Sequence, residues 1–247
     1  MHLNVHKDFI QTSITGILRD VIAASKGIGS GIETFPLCDY IMQSVFMKMT
    51  GFQEQKMKCI IWELANIDFE YRRILLSNDD KLGECSSYSD KNKIYKRLVE
   101  QINKYDPKFD IKTIDKTSIL TETVDYIKTE FENTNLSIWA QGSFNDFLSS
   151  IETVLKQEYF IEQFEKGKTN LFANVLREKY EVLYKHRNRI AHNTPSYQQN
   201  LPTLKSLTNP NYRYENYFIY FSILILIDNV FIELYKKYLT IIESNTN

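Results

Sequence analysis

The sequence predicts an all-α fold, a helical bundle of about four to five long helices with additional N-terminal helices. Stripes of apolar residues with helical spacing recur along most of the chain, and the last helix, over 213–242, is apolar on nearly all faces from Tyr217 to Phe231. The composition, 43% apolar and 25% charged, is that of a globular protein. We therefore expect residues 1–247 to form one domain, with the bundle most evident over 143–242 and further helices contributed by 38–105.

The N-terminal part of the chain is predicted to be helical. Residues 8–24 place isoleucine, leucine and valine on one helical face, and the glycine-rich loop 25–31 ends that stretch. The pattern is helical again over 38–76. Thr50-Gly51 marks either a bend in one helix or the boundary between two, because glycine weakens a helix interior by about 1 kcal/mol.

The middle of the chain has weaker patterns. Residues 77–92 are polar and are predicted to form a surface loop, and a helix follows over 91–105, where Asp106-Pro107 ends it. Residues 119–132 have the spacing of a helix. A weak alternation over 108–114 suggests a short strand.

The second half is predicted to begin at a capping box, in which Ser143 is followed three residues later by Asp146. A long helix then follows the stretch 167–170. Its predicted inward residues are Phe172, Val175, Leu176, Val182 and Leu183. Its predicted outer face is basic and consists of Arg177, Lys179, Lys185, Arg187 and Arg189.

The end of this helix concentrates residues that can act on a phosphodiester. Residues 184–193 read Tyr-Lys-His-Arg-Asn-Arg-Ile-Ala-His-Asn and precede Pro195. His192 can move a proton near neutral pH, because imidazole is the side chain that ordinarily titrates there. Arg187 can hold a phosphate, because its guanidinium is always charged and its planar fork fits phosphate oxygens. These parts suffice for cleaving RNA without a metal.

The string Arg187-Asn188-x-Ile190-Ala191-His192 resembles the signature of the HEPN superfamily (higher eukaryotes and prokaryotes nucleotide-binding domains). In that signature an arginine, a polar residue that is often asparagine, and a histidine are separated in this way. The resemblance covers residues 143–242 and implies a metal-independent endoribonuclease of a bacterial defence, abortive-infection or toxin system. It implies catalytic roles for Arg187, Asn188 and His192, RNA as substrate, no cofactor, and an antitoxin or sensor as partner. Thr194 stands where some families of the superfamily have a tyrosine that a partner enzyme modifies.

Helix geometry separates the two main residues of the motif. Residues five apart on a straight α-helix lie about 140° apart around its axis, so Arg187 and His192 do not share a face. They come together if the helix ends or bends near residues 190–191, if a phosphate bridges them, or if two protomers contribute one residue each. The resemblance implies the last arrangement, and the apolar C-terminal helix offers a surface for it, so we expect a homodimer with a composite cleft. Weaker candidates for contacts with RNA are Tyr184, Lys185, His186 and Arg189.

Other interpretations remain open. The basic residues near the helix end either steer phosphate or complement the helix dipole. The alternative function is a non-catalytic HEPN-like nucleotide-binding or adaptor module in a multi-subunit defence complex. A metal-dependent nuclease that uses residues 54–56 with Asp68 is disfavoured, because such sites normally lie on strands and this stretch is helical.

The net charge, the cysteine spacing and the hydropathy limit which ligands and which cellular location the protein can have. A net charge of -1 gives no general attraction for nucleic acid, so phosphate binding requires a local patch. Cys38, Cys59 and Cys85 lack the spacing of metal ligands and are predicted to be reduced thiols. The apolar run 218–227 is about half as long as a membrane span, and the N-terminus has no secretory signal. We therefore predict a cytoplasmic protein with no membrane contact and no bound metal.

Overall fold

The computed structural model describes residues 5–29, 31–77, 83–165, 168–191 and 216–246. Their secondary structure is mostly helical, which confirms the predicted all-α class. The helices are α1 Val5–Gln11, α2 Thr15–Ser25, α3 Phe35–Ile67, α4 Phe69–Leu76, α5 Tyr88–Tyr105, α6 Lys116–Phe131, α7 Asn135–Trp139, α8 Gln141–Val154, α9 Asn174–Ala191 and α10 Tyr217–Thr246. The strands β1 Phe160–Glu165 and β2 Lys168–Phe172 form an antiparallel hairpin between α8 and α9.

Helix α10 is the central element of the bundle. It contacts α1, α3, α5, α6, α8 and α9, and its side chains are buried on nearly all sides between Tyr217 and Ile232. Its length and composition would allow it to cross a membrane, but 83% of its most apolar window is buried inside the protein, as in the core helix of a soluble protein. The sequence left open whether this helix is core or dimer face. It is core, so the surface on which the predicted homodimer was based is already covered within the chain.

The predicted helix over 8–24 is interrupted, because α1 and α2 are separate. A buried ion pair between Lys56 of α3 and Asp228 of α10 stabilises the break between α1 and α2. Lys56 Nζ lies 2.5 Å from Asp228 Oδ1 and donates to the Thr12 carbonyl oxygen at 2.6 Å. Asp228 Oδ2 accepts from the Ile14 N–H at 3.0 Å. Buried backbone groups at a helix end need partners, and here two charged side chains supply them.

The boundary within the predicted helical region 38–76 lies at Asp68. Helix α3 runs for 33 residues and passes through Gly51 without a break. The Asp68 carboxylate then accepts from the backbone N–H groups of Glu70 and Tyr71 and so caps α4. The same carboxylate accepts from Gln101, which ties this junction to α5.

Helix α5 begins at Tyr88, where Ser87 caps it, so the polar loop predicted to extend to residue 92 is shorter. Residues 78–82 of that loop lie outside the described residues. Helix α6 confirms the helix predicted over 119–132. The strand suggested over 108–114 is wrong, since this stretch contains a 3-10 turn capped by Asp110. Helix α7 was not predicted.

Two features before α9 also differ from the prediction. Helix α8 begins at Gln141, so Ser143 lies inside the helix and does not cap it. The hairpin was not predicted, and Phe172 belongs to its second strand rather than to α9. The hairpin is fixed to α5 by hydrogen bonds, since the Tyr95 hydroxyl bonds the Thr169 hydroxyl at 2.7 Å and the Tyr88 hydroxyl donates to the Phe172 carbonyl oxygen at 3.0 Å.

Candidate functional site

Helix α9 carries the first part of the motif. Its buried residues lie at helical spacing against α3, α5 and α10, and they are Leu176, Tyr180, Leu183 and His186. Val182, which was predicted to face inward, is instead exposed. The helix extends to Ala191. His192, the predicted proton carrier, lies outside the described residues.

Arg187 turns toward α3, which corrects its predicted place on the basic outer face. Its Nη2 lies 3.0 Å from Glu54 Oε1 and donates to Glu54 Oε2 at 3.2 Å. Its Nη1 donates to Asn188 Oδ1 at 3.1 Å. The side chains of Arg187 and Glu54 are 22% and 10% exposed, so the ion pair is largely enclosed but not sealed from solvent. Two of the three predicted catalytic residues, Arg187 and Asn188, are therefore in direct contact.

A polar cavity inside the bundle, too narrow for a water molecule, adjoins this ion pair, and we call it the Glu54 pocket. It is lined by Thr50, Gln53, Glu54, Ser86, Lys91, Tyr180, Leu183, Tyr184 and Arg187. Lys91 is 1% exposed, and its Nζ donates to the Cys85 carbonyl oxygen at 3.0 Å. The Tyr180 hydroxyl donates to the Ser86 carbonyl oxygen at 2.6 Å, and its ring lies 5.9 Å from Lys91 Nζ.

Lys91 is a buried charge in the Glu54 pocket. Burial lowers its pKa to about 8, while the Glu54 carboxylate opposes this shift and the Arg187 guanidinium adds to it. The carbonyl that Lys91 binds belongs to Cys85, whose φ of 62° is a left-handed conformation that costs most residues about 1–2 kcal/mol. The cations Lys91 and Arg187 thus both line the pocket that contains the Glu54 carboxylate, and Arg187 contacts it directly.

Neither Glu54 nor Lys91 was predicted to belong to this site, although the sequence contains a signal for the first. The apolar stripe of α3 is interrupted between Met49 and Met57. At buried positions in this interval stand Thr50, Gln53, Glu54 and Lys56. Charged residues at positions that helical spacing buries need partners, so such an interruption predicts an internal ion pair.

His186 has a structural role, which corrects its prediction as a residue facing RNA. It is 4% exposed, and its Nε2 lies 2.9 Å from the Tyr217 hydroxyl. Its ring packs against Phe46, with 5.4 Å between the ring centroids. The side chain therefore joins α9 to α3 and α10 in the core.

The other weaker candidates lie on different faces of α9. Lys185 and Arg189 are exposed, and Tyr184 is half-buried beside the Glu54 pocket. Arg177 and Lys179 are also exposed, as predicted for these four cations, but the exposed Glu178 lies among them on α9.

The residues proposed for a metal-dependent nuclease do not form a site. Glu54 pairs with Arg187, and Lys56 pairs with Asp228. Asp68 lies at the end of the same helix as Glu54, about 20 Å further along its axis. Within the described ranges, no group of three or more side chains is placed to hold a metal ion.

The sequence predicted a resemblance to the HEPN superfamily over residues 143–242, carried by the motif within 184–193. No family model, curated protein or solved structure matches the chain. The resemblance to the HEPN signature therefore depends on the motif alone. Chemically, the motif combines an arginine fixed by a carboxylate, an amide in contact with it, and a histidine five residues further along the chain. Such groups can bind a phosphate and carry a proton.

Proposed function

We propose that this protein is a metal-independent endoribonuclease of the HEPN type, acting in a bacterial defence, abortive-infection or toxin system. The observation that carries the proposal is the Arg187 guanidinium, which Glu54 and Asn188 hold in one orientation near the end of α9. An arginine fixed in this way is suited to bind a phosphate, because the cost of ordering its side chain has been met within the folded protein.

In the proposed reaction a ribose 2′-hydroxyl attacks the adjacent phosphorus. The 2′-oxygen–phosphorus bond forms, and the bond from phosphorus to the 5′-oxygen of the next nucleotide breaks. His192 accepts the proton of the 2′-hydroxyl as general base while water protonates the departing 5′-oxygen, or it protonates the 5′-oxygen as general acid while water accepts the proton of the 2′-hydroxyl. Arg187 stabilises the charge on the phosphorane, and Asn188 keeps the guanidinium in place or bonds the phosphate. The products are a 2′,3′-cyclic phosphate and a 5′-hydroxyl, and DNA does not react because it lacks the 2′-hydroxyl.

The remaining parts of the proposal concern partners and assembly. Exposed cations on α9, among them Lys185 and Arg189, supply the electrostatic attraction for the RNA backbone. A homodimer with a composite cleft, an antitoxin or sensor partner, and a cytoplasmic location complete the proposal.

One observation favours the alternative of a non-catalytic binding or adaptor module. Both oxygens of Glu54 lie against Nη2 of Arg187, so a carboxylate already neutralises part of the charge that a phosphate would meet. An ion pair of this kind also joins α3 to α9, which is a structural role that requires no substrate.

The test is incubation of purified wild type, His192→Ala and Arg187→Ala with total cellular RNA in EDTA, followed by chemical mapping of the new RNA ends. We expect cleavage with cyclic-phosphate ends from the wild type and none from either variant. Arg97→Ala is the matched arginine control, because Arg97 lies on α5 and pairs with Glu100 at 2.8 Å. Cleavage that persists in His192→Ala, or that requires a divalent metal, would refute the proposed mechanism. A wild type that cuts no RNA and is not toxic when expressed alone would favour the adaptor module.

A further inference from the structure

We infer that Glu54 is a positioning residue for Arg187, and that the buried Lys91 ammonium, which lines the same pocket, supports this role. The inference rests on the proposed function, in which Arg187 binds the phosphate. It goes further by assigning two residues from α3 and α5, outside the motif, to the same site. The feature that carries it is the contact of both Glu54 oxygens with the partly exposed Arg187, beside a buried cation that lines the same pocket.

Glu54 and Asn188 restrain the guanidinium at both of its terminal nitrogens. Nη2 lies 3.0 Å and 3.2 Å from the two Glu54 oxygens, and Nη1 donates to Asn188 Oδ1 at 3.1 Å. The plane of the guanidinium is therefore set jointly by α3 and α9. Each terminal nitrogen carries two N–H groups, and Asn188 Oδ1 engages one of those on Nη1. The other can meet a phosphate oxygen without displacing either partner.

Lys91 is a second cation in the Glu54 pocket. Its Nζ hydrogen-bonds to the backbone carbonyl of Cys85, and its charge and that of the Glu54 carboxylate attract each other across the pocket. A largely buried carboxylate that loses its partner is strongly destabilised. When Arg187 binds a phosphate, Lys91 remains as a cation that neutralises part of the charge of the Glu54 carboxylate. The buried ammonium thus allows Arg187 to bind an anion without leaving an unpaired carboxylate behind.

The first test measures the positioning itself and needs no RNA. In full-length protein labelled at the arginine side chains, hindered rotation about the Cζ–Nη bonds separates the Nη resonances in NMR spectra, and Arg187→Ala assigns those of Arg187. We expect hindered rotation of Arg187 in the wild type and free rotation in Glu54→Gln. Glu63→Gln is the matched control, because Glu63 is another buried carboxylate of α3 and lies 3.2 Å from His6. Free rotation in the wild type, or unchanged restraint in Glu54→Gln, overturns the inference whatever the protein does to RNA.

The second test measures the consequence for RNA in variants whose folding has been checked by thermal unfolding. The probe is a fluorescent single-stranded RNA of mixed sequence with 2′-O-methyl groups, which cannot be cut by 2′-hydroxyl attack. We expect Glu54→Gln and Lys91→Met each to weaken binding about 10-fold, a loss typical of groups that orient a ligand-binding side chain. Glu54→Gln added to Arg187→Ala is expected to cause no further loss, because the two residues act as a unit.

Two results of the binding test would overturn the inference. Tighter binding by Glu54→Gln would show that Glu54 masks Arg187 instead of orienting it. A loss in the double variant equal to the product of the separate losses would show that the two residues act independently. If Lys91→Met does not fold, Glu54→Gln alone decides between these outcomes. Free Arg187 rotation in Glu54→Gln, together with no RNA cleavage by the wild type, would uphold the positioning role and refute the ribonuclease.

Discussion

Replacing Lys91 with methionine is expected to change how the stability of this protein depends on pH. Lys91 is 1% exposed, and the groups that face it are Glu54 of α3, Asp90 of α5, the Cys85 thiol and Arg187 of α9. Burial lowers its pKa from 10.5 to about 8. Since one pKa unit corresponds to about 1.4 kcal/mol, holding the ammonium in the core costs on the order of 3 kcal/mol at neutral pH.

The sign of the pH effect follows from which state binds the proton. Below pH 8 Lys91 is charged in both the folded and the unfolded protein, and the full cost is present. Between pH 8 and 10.5 the folded protein releases the proton while the unfolded chain keeps it, so stability rises with pH. The methionine variant lacks this contribution. It also leaves the Cys85 carbonyl without its donor, which costs about 1–3 kcal/mol at every pH.

Urea unfolding of the wild type and Lys91→Met from about pH 7 to pH 10.5 measures the difference. Relative to the variant, the wild type is expected to gain about 3 kcal/mol over this range, because the titration of groups distant from Lys91 cancels in the comparison. Lys236→Met is the control, since the Lys236 side chain is 52% exposed, and its curve is expected to run parallel to that of the wild type. A Lys91→Met curve that also runs parallel would refute the reasoning that Lys91 is held in the core as a charge.

Two further substitutions test the packing that surrounds the site. Lys56→Met leaves the buried Asp228 carboxylate without its counter-ion, so we expect a loss of about 3–5 kcal/mol in urea unfolding. Burial raises the pKa of Asp228 and Lys56 opposes that shift, so without Lys56 the pKa rises further and the loss should grow as pH rises from about 4 to 7. A loss independent of pH would contradict this. Tyr88→Phe removes the hydroxyl that donates to the carbonyl of Phe172 and accepts from its N–H, for an expected cost of about 1–3 kcal/mol in chemical denaturation. No measurable change would show that the hairpin is not held by this contact.

The spacing of apolar residues was enough to predict the long helices, but not the break between α1 and α2 or the hairpin. Helices α5, α6 and α10 follow from apolar stripes within their own residues. The break between α1 and α2 depends on Asp228, which is 214 residues away from Ile14 in sequence. The hairpin depends in the same way on Tyr88 and Tyr95 of α5, since strands this short gain most of their stability from packing. A local pattern can reveal a buried charge, as it does at Lys56 in α3, but it does not identify the distant partner.

For the candidate site, the sequence predicted which residue types take part but not which way their side chains point. Arg187 and Asn188 were singled out by their spacing, whereas the partner that orients Arg187 stands 133 residues earlier in α3. His186 precedes Arg187 directly, yet it faces the core and bonds Tyr217. Successive residues on a helix point about 100° apart, so which of these neighbours is enclosed is decided by the helices that pack on α9.

Because α10 is buried in the core, two protomers would have to form a dimer through another surface. A composite site needs the α9 helices of both protomers close together, and the exposed face of α9 carries Lys185 and Arg189. Like charges would repel across such an interface, so we expect the dimer fraction in sedimentation equilibrium to rise as NaCl is raised from about 0.05 to 0.5 M, where the repulsion is screened. Lys185→Ala should increase the dimer fraction at low salt for the same reason. A dimer that weakens with salt, or that ignores Lys185→Ala, would mean that protomers meet through another surface and that Arg187 and His192 must act within one chain.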